Sequence, residues 1–359
     1  MKIAQICPRY SPDIGGVETH VKEISERLVK AGHEVEVITT DSTGKLNKRD
    51  TVNGVKVIRF RAFAPGNAYF FAPQIYFYLK KRNYDVIHAH SYHAFPALFA
   101  AFAISAEKFV FTPHYHRFGH TFFRNLLHKP YRLFGEKIFS RADTVICVSE
   151  YEKRLVESDF KVAAKTVKIP NGINLKEFEA FQSLKKNSER KNGKEKILLY
   201  VGRLEEYKGV QYIIQSLPEL EDFRLEVVGK GPSEAELKNM AKSLGVEEKI
   251  EWEKDISRKE LLECYGKADI FLMLSSHEAY GITVAEALAA GTPCIVAKGS
   301  ALEEFVDGEN CVGIESPVSK EKVVEAVRKM KKGFKADFRK KLLFDWGEVC
   351  EKTIGIYNR

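Results

Sequence analysis

Short apolar runs rich in β-branched residues alternate with longer amphipathic stretches along most of the chain. In the first half the runs are Lys2–Cys7, Glu34–Thr40, Val55–Phe60, Val86–His90, Phe109–Thr112 and Thr144–Val148. Each is too short for an ordinary helix, and helical patterns separate several of them, which predicts βαβ units and a parallel sheet. After Pro170-Asn171-Gly172 the alternation lapses into Glu177–Lys196, a stretch rich in Lys, Glu, Ser and Asn with little to bury, read as a linker. It resumes with Ile197–Val201, Leu225–Val228, Ile250–Trp252, Ile270–Leu274, Cys294–Ala297 and Val312–Ile314, and closes in charged helices from about Lys320. The expected fold class is α/β with two doubly wound, Rossmann-like parallel sheets: an N-terminal domain over residues 1–178, a linker at 179–195 and a second domain over 196–340.

Length supports this division, because 359 residues exceed what one hydrophobic core usually serves. A composition of 44% hydrophobic and 30% charged residues is that of a folded globular chain. The six cysteines form no CxxC pair, which argues against a disulfide scaffold or a zinc ribbon and suits a reducing, cytoplasmic setting. Met1–Pro8 reads as a strand rather than a signal peptide, and the apolar stretch Ala94–Ala106 is too short to span a bilayer. The net charge of +8 is carried entirely by residues 1–180. Within that half, Lys108–Arg141 interleaves cations with aromatic side chains. Such a stretch either docks peripherally on an anionic membrane face or is an ordinary solvated surface over a core helix. Nucleic acid is not expected, since no binding motif accompanies the charge.

In open α/β sheets ligands bind beyond the carboxyl ends of the strands, so the site is expected in a cleft where two sets of strand ends face one another. Four stations follow strands. Gly15-Gly16, between the first strand and a helix, either cradles an anion at the helix N-terminus or is a plain turn. Arg203 and Lys208 flank a loop after Val201; they are either surface cations or a clamp for a diphosphate without a metal. Glu278 and Glu286 stand eight residues apart, with Glu286 inside an otherwise apolar helix. A carboxylate there requires hydrogen bonds, either from the vicinal hydroxyls of a ribose or from the protein. The turn at Gly281 would present the helix end, with Ile282 and Thr283, to a phosphate. Seven of the ten histidines lie between His88 and His128. The His88-x-His90 pair admits a zinc reading, although no carboxylate or cysteine stands at ligand spacing and no DxD sequence occurs; satisfied core histidines are the alternative.

Taken in order, Gly15-Gly16, Val201-Gly202-Arg203 with Lys208-Gly209, Val228-Gly229-Lys230-Gly231-Pro232, the Glu278-x7-Glu286 pair and Ala287-Leu288-Ala289-Ala290-Gly291-Thr292-Pro293 resemble the retaining glycosyltransferases of family 4, which have the GT-B fold. Ala31-Gly32-His33-Glu34-Val35, Pro170-Asn171-Gly172-Ile173, Trp346 and Tyr357 extend the resemblance over nearly the whole chain. It implies a hexosyltransferase in which residues 341–359 form a helix returning to the first domain. It further implies that Arg203 and Lys208 hold the donor diphosphate, Glu286 the ribose and Glu278 the donor sugar. Gly15, Gly16, Gly229, Gly281, Ile282 and Thr283 would approach the phosphates and the transferred sugar. His114 matches the family's active-site histidine, so the catalytic set is His114, Arg203, Lys208 and Glu278. Tyr280 stands where the family usually has Phe, and Gly299–Glu303 lacks the usual second glycine and proline.

The implied donor is a UDP-, GDP- or ADP-linked sugar and the acceptor a glycan or lipid hydroxyl, with no metal or other cofactor. Two enzymes of other kinds compete. A non-hydrolysing nucleotide-sugar epimerase would release an altered sugar nucleotide without an acceptor, and a zinc hydrolase built on His88 and His90 would lose activity to chelators. A protein that only binds sugar nucleotides would show affinity without turnover.

Overall fold

The computed structural model describes residues 1–103, 106–117, 134–162, 165–179, 195–330 and 342–359. These form two compact units, one of Met1–Gly172 with Trp346–Arg359 and one of Ile173–Asp345.

The first unit is built on eight strands: β1 (Lys2–Ile6), β2 (Glu34–Asp41), β3 (Arg49–Val52), β4 (Val55–Arg61), β5 (Tyr84–His90), β6 (Ala106–Thr112), β7 (Thr144–Cys147) and β8 (Thr166–Lys168). Their order is β3-β4-β2-β1-β5-β6-β7-β8, and all pairs are parallel except β3 on β4. Six of the eight were expected. The two others lack an apolar run: β3 is mostly exposed polar sequence, and β8 has three residues. A tight turn at Asn53 (φ 50) and Gly54 (φ 84) folds β3 back on β4, which is the backbone that an Asn-Gly pair favours. Helix Gly16–Lys30 buries Val21, Ile24 and Leu28 along one stripe, and it meets the last helix, Trp346–Tyr357. Where that last helix starts, a Cβ at Gly172 would sit 2.7 Å from the Trp346 backbone, so only glycine permits the approach.

The second unit has six parallel strands: β9 (Lys196–Val201), β10 (Phe223–Val228), β11 (Ile250–Glu253), β12 (Ile270–Met273), β13 (Cys294–Ala297) and β14 (Cys311–Ile314), ordered β11-β10-β9-β12-β13-β14. All six were expected. Residues 173–178 belong to this unit rather than to the first, in contrast to the expected boundary at 178. Phe178 explains the difference: it is buried, with its ring beside Tyr265 and under the Arg258 guanidinium. Most of the expected linker, residues 180–194, lies outside the described residues.

Both sheets reverse direction beside their first strand. In the first unit the chain leaves β1 toward β2 and later returns to β5 on the other side; in the second it leaves β9 toward β10 and returns to β12. Loops diverge at such switch points, which makes the carboxyl ends of β1 and β5, and of β9 and β12, the natural ligand sites. No helix among the described residues is long and apolar enough to cross a membrane.

Candidate functional site

In the second unit the loop after β9 is drawn against the loop after β12. A Cβ at Gly209 would stand 2.5 Å from the Leu274 carbonyl oxygen, and the Ser276 amide donates to the Tyr207 carbonyl at 2.9 Å. This brings Lys208 Nζ within 2.5 Å of Glu278 Oε1 across the switch point. Burial alone disfavours the lysine charge, but Glu278 more than reverses that and holds Lys208 above its ordinary value. Arg203 shares the loop; its side chain is 54% exposed and pairs with Glu205 at 2.6 Å. A largely enclosed cation, Lys208, therefore shares its loop with a more exposed one, Arg203, each paired with a glutamate.

Gly229 (φ 150) and Gly231 have a packing role in this unit. A Cβ at Gly229 would meet the Gly202 carbonyl oxygen at 1.9 Å, and one at Gly231 the Leu204 carbonyl oxygen at 2.2 Å. The two glycines let the ends of β9 and β10 run in contact. Gly281 (φ 108) turns the chain into helix Ile282–Ala289, with Ile282 and Thr283 half-buried in its first turn.

Glu286 is satisfied by protein side chains. Arg258 Nη1 donates to its Oε1 at 2.6 Å and the Tyr265 hydroxyl to its Oε2 at 2.9 Å, while Arg258 also pairs with Glu177 at 3.1 Å. Each carboxylate oxygen keeps one further acceptor site. The sequence signalled that a buried glutamate needs donors but could not choose Arg258 and Tyr265 among the many arginines and tyrosines.

The first unit gathers imidazoles instead of charges. His114 follows β6 in a left-handed backbone (φ 46), and the next amide, that of Tyr115, donates to Glu152 Oε1 at 2.6 Å. Glu152 is fully buried and its Oε2 accepts the Val148 amide at 2.6 Å, so one carboxylate ties the loops after β6 and β7. Around His114 lie His20, with ring centroids 5.3 Å apart, and His90, at 6.0 Å. His20 Nδ1 meets Asn171 Oδ1 at 2.7 Å, and His90 Nε2 meets Gln5 Oε1 at 2.7 Å. Burial pushes His20 down to about 4, its bond to Asn171 notwithstanding, and drives His88, His90 and His114 well below the usual histidine range.

His88 is a satisfied core residue. Nδ1 meets the Tyr357 hydroxyl at 2.7 Å and Nε2 the Thr112 hydroxyl at 2.8 Å, so of the two readings of the His88-x-His90 pair His88 follows the satisfied core histidine rather than the zinc ligand. His20, Asn171, Gln5 and Glu152 were missed in the sequence, where none stands near another. At Gly15-Gly16, the Glu18 carboxylate lies over the helix start, 2.4 Å from where a Gly15 Cβ would be, and pairs with Arg9 at 2.7 Å. Of the basic stretch, Lys108 donates to the Ile356 carbonyl, Arg117 pairs with Asp159 and Arg141 donates to the Ala101 carbonyl; residues 118–133 lie outside the described residues.

The sequence pattern of Glycosyltransferase Family 4 matches residues 14–177, and that of Glycosyl transferases group 1 matches residues 181–342. An uncharacterized glycosyltransferase, MJ1607 of Methanocaldococcus jannaschii, is 29% identical over 99% of this chain and 98% of its own length. The GPI3 subunit of the phosphatidylinositol N-acetylglucosaminyltransferase of Saccharomyces cerevisiae is 25% identical over 99% of this chain and 82% of its own. Among solved structures, Anabaena Alr3699/HepE in complex with UDP and glucose has the same fold, with a TM-score of 0.77 at 17% identity, over 100% of this chain and 99% of that one.

Proposed function

The chain belongs to the glycosyltransferases of family 4, with the GT-B fold, and from that premise we propose that it moves a hexose from a nucleoside-diphosphate sugar to a lipid-linked hydroxyl with retention and without a metal. The observation that carries the donor reading is the half-buried Lys208–Glu278 pair joining the loops after β9 and β12, with Arg203 more exposed on the first of them. One guanidinium and one ammonium group at a switch point would stabilise the negative charge that a departing diphosphate develops. Glu278 would take a sugar hydroxyl as Lys208 turns to the phosphate. Glu286, held rigid by Arg258 and Tyr265, would use its remaining acceptor sites for the ribose. The HepE complex with UDP and glucose favours a uridine donor.

In the first unit His114 would meet the reacting sugar, its loop fixed by Glu152. The leaving phosphate oxygen would take the acceptor proton as the new glycosidic bond forms on the face the diphosphate leaves. A lipid acceptor is supported by the phosphatidylinositol named in the GPI3 subunit's enzyme and by the exposed side chains of Phe63, Phe77 and Phe102, the last under the Arg141 guanidinium. Contact with an anionic membrane face is part of this proposal, supported by those phenylalanines and by the basic, aromatic sequence of Lys108–Arg141.

The test supplies UDP-, GDP- and ADP-hexoses in chelator, with phosphatidylinositol or polyprenyl phosphate acceptors in anionic and in zwitterionic vesicles. One donor should yield a glycolipid that keeps the donor's anomeric configuration, faster on anionic vesicles, and His114→Ala should remove most of it. An altered sugar nucleotide without glycolipid would instead establish the epimerase, and loss of activity on chelation would overturn metal independence.

A further inference from the structure

We infer that His20, His90 and His114 form a binding site for a borderline transition-metal ion such as Zn²⁺ or Co²⁺. One ring nitrogen from each lies within 4.8 Å of the other two, and no other group of three His, Cys, Asp or Glu among the described residues does so. The surrounding hydrogen bonds set which nitrogen is free. Gln5 turns its amide nitrogen to the Tyr357 hydroxyl at 3.0 Å, so its oxygen faces His90 Nε2 and takes that proton, leaving the lone pair on Nδ1. Asn171 Oδ1 likewise takes the proton of His20 Nδ1, leaving the lone pair on Nε2.

His90 is wholly buried, and its Nδ1 has no hydrogen-bond partner; nor has the buried Nε2 of His114. Buried ring nitrogens that converge with no hydrogen-bond partner have given up their solvation for nothing, which is the condition that a Lewis acid relieves. Carbonyl oxygens behind metal-bound imidazoles, here those of Gln5 and Asn171, are the usual outer partners that orient such ligands. In a four-coordinate site, nitrogens about 2 Å from the ion stand roughly 3.3 Å apart. The three nitrogens lie within 4.8 Å of one another, so binding draws them together by up to about 1.5 Å. His88 is excluded, since both its nitrogens are engaged. An ion here engages His114 and so competes with sugar transfer.

The experiment is a Co²⁺ titration of the full chain after chelator treatment, followed by visible absorption. One equivalent should produce the intense bands of four-coordinate cobalt, and Zn²⁺ should displace them. His20→Ala and His114→Ala should each abolish the bands, Asn171→Ala should weaken binding about 10- to 100-fold, and His88→Gln should leave it unchanged. Absence of bands at millimolar Co²⁺, or bands that survive His114→Ala, would overturn the site. His114→Ala truncates a half-buried loop side chain and carries the test if the buried His20→Ala does not fold. The spectrum is independent of the sugar-transfer assay, so either can fail without the other.

Discussion

The two switch points occupy the same place in two similar sheets and are built on opposite electrostatic principles. Beside β1 and β5, burial strips charge from four histidines, and neutral side chains such as Gln5, Asn171 and Tyr357 hold their rings. Beside β9 and β12, charges persist because each has a partner: Lys208 with Glu278, Arg258 with Glu286 and Glu177, Arg203 with Glu205. A neutral cluster holds geometry and can pass a proton or take an ion. A paired cluster stores charge that an anionic ligand can redirect. One αβ frame thus supports two chemistries through the residues at the strand ends alone.

The strongest way to break this comparison is to remove a charge from the second unit. Lys208→Ala should lower kcat/KM on the order of 10³-fold, the scale of losing a donor aimed at developing negative charge. It should also cost about 3 kcal/mol of stability by leaving Glu278 partly buried and alone. The double variant Lys208→Ala/Glu278→Ala separates the two effects. Urea unfolding should show most of the stability restored while transfer remains lost. Wild-type turnover in Lys208→Ala would remove the cation from the mechanism.

Acid sharpens the contrast from the other side. Burial lowers His20 from 6.5 to about 4, so as pH falls below 6.5 the unfolded chain takes a proton that the native state refuses until about 4. Stability is complete above that window and is lost across it, by about 3 kcal/mol for His20 at 1.36 kcal/mol per unit, and His88, His90 and His114 act in the same direction. Lys208 is raised, so its contribution is present below 10.5 and lost only as pH rises beyond it. The first unit should therefore weaken between pH 6.5 and 4, a window across which the Lys208 contribution to the second unit is unchanged. Trp346 packs 5.7 Å from His20, so in a chelated Trp252→Phe variant its fluorescence reports the first unit alone. Urea midpoints that do not fall between pH 6.5 and 4 would contradict the neutral-cluster reading.

The strand framework was legible because buried parallel strands are nearly continuous apolar runs, and twelve of the fourteen strands carry one. Strand β3 escaped because its edge position needs no apolar face. Site residues were legible where they follow a strand within a motif, as Arg203, Lys208, Glu278 and His114 do. Their partners were not. Arg258 and Tyr265, from one helix, and Asn171 and Glu152 lie 21 residues or more in sequence from what they hold. Such pairings are fixed only by the fold. The Glu286 helix shows the limit, since its sequence demanded donors and left open whether ribose or protein supplies them.

The smallest effect concerns a position where this chain departs from its family's usual phenylalanine. Tyr280 is buried with its ring against Phe305, centroids 5.4 Å apart, and its hydroxyl has no hydrogen-bond partner. Burial also raises the phenol's pKa, so the group stays neutral and gains nothing by ionising. A buried hydroxyl without a partner forfeits its hydration for no return, and the apolar isostere removes that penalty while keeping the ring contact. Tyr280→Phe should therefore stabilise the second unit by about 1 kcal/mol, read as a higher urea midpoint, with kcat unchanged because the ring precedes Gly281 without reaching Lys208 or Glu278 through any hydrogen bond. A loss of stability would mean that the hydroxyl is bonded in solution. A selective rise in KM for the donor would show that the tyrosine serves the sugar, and would place the chain's substrate preference at the turn into helix Ile282–Ala289.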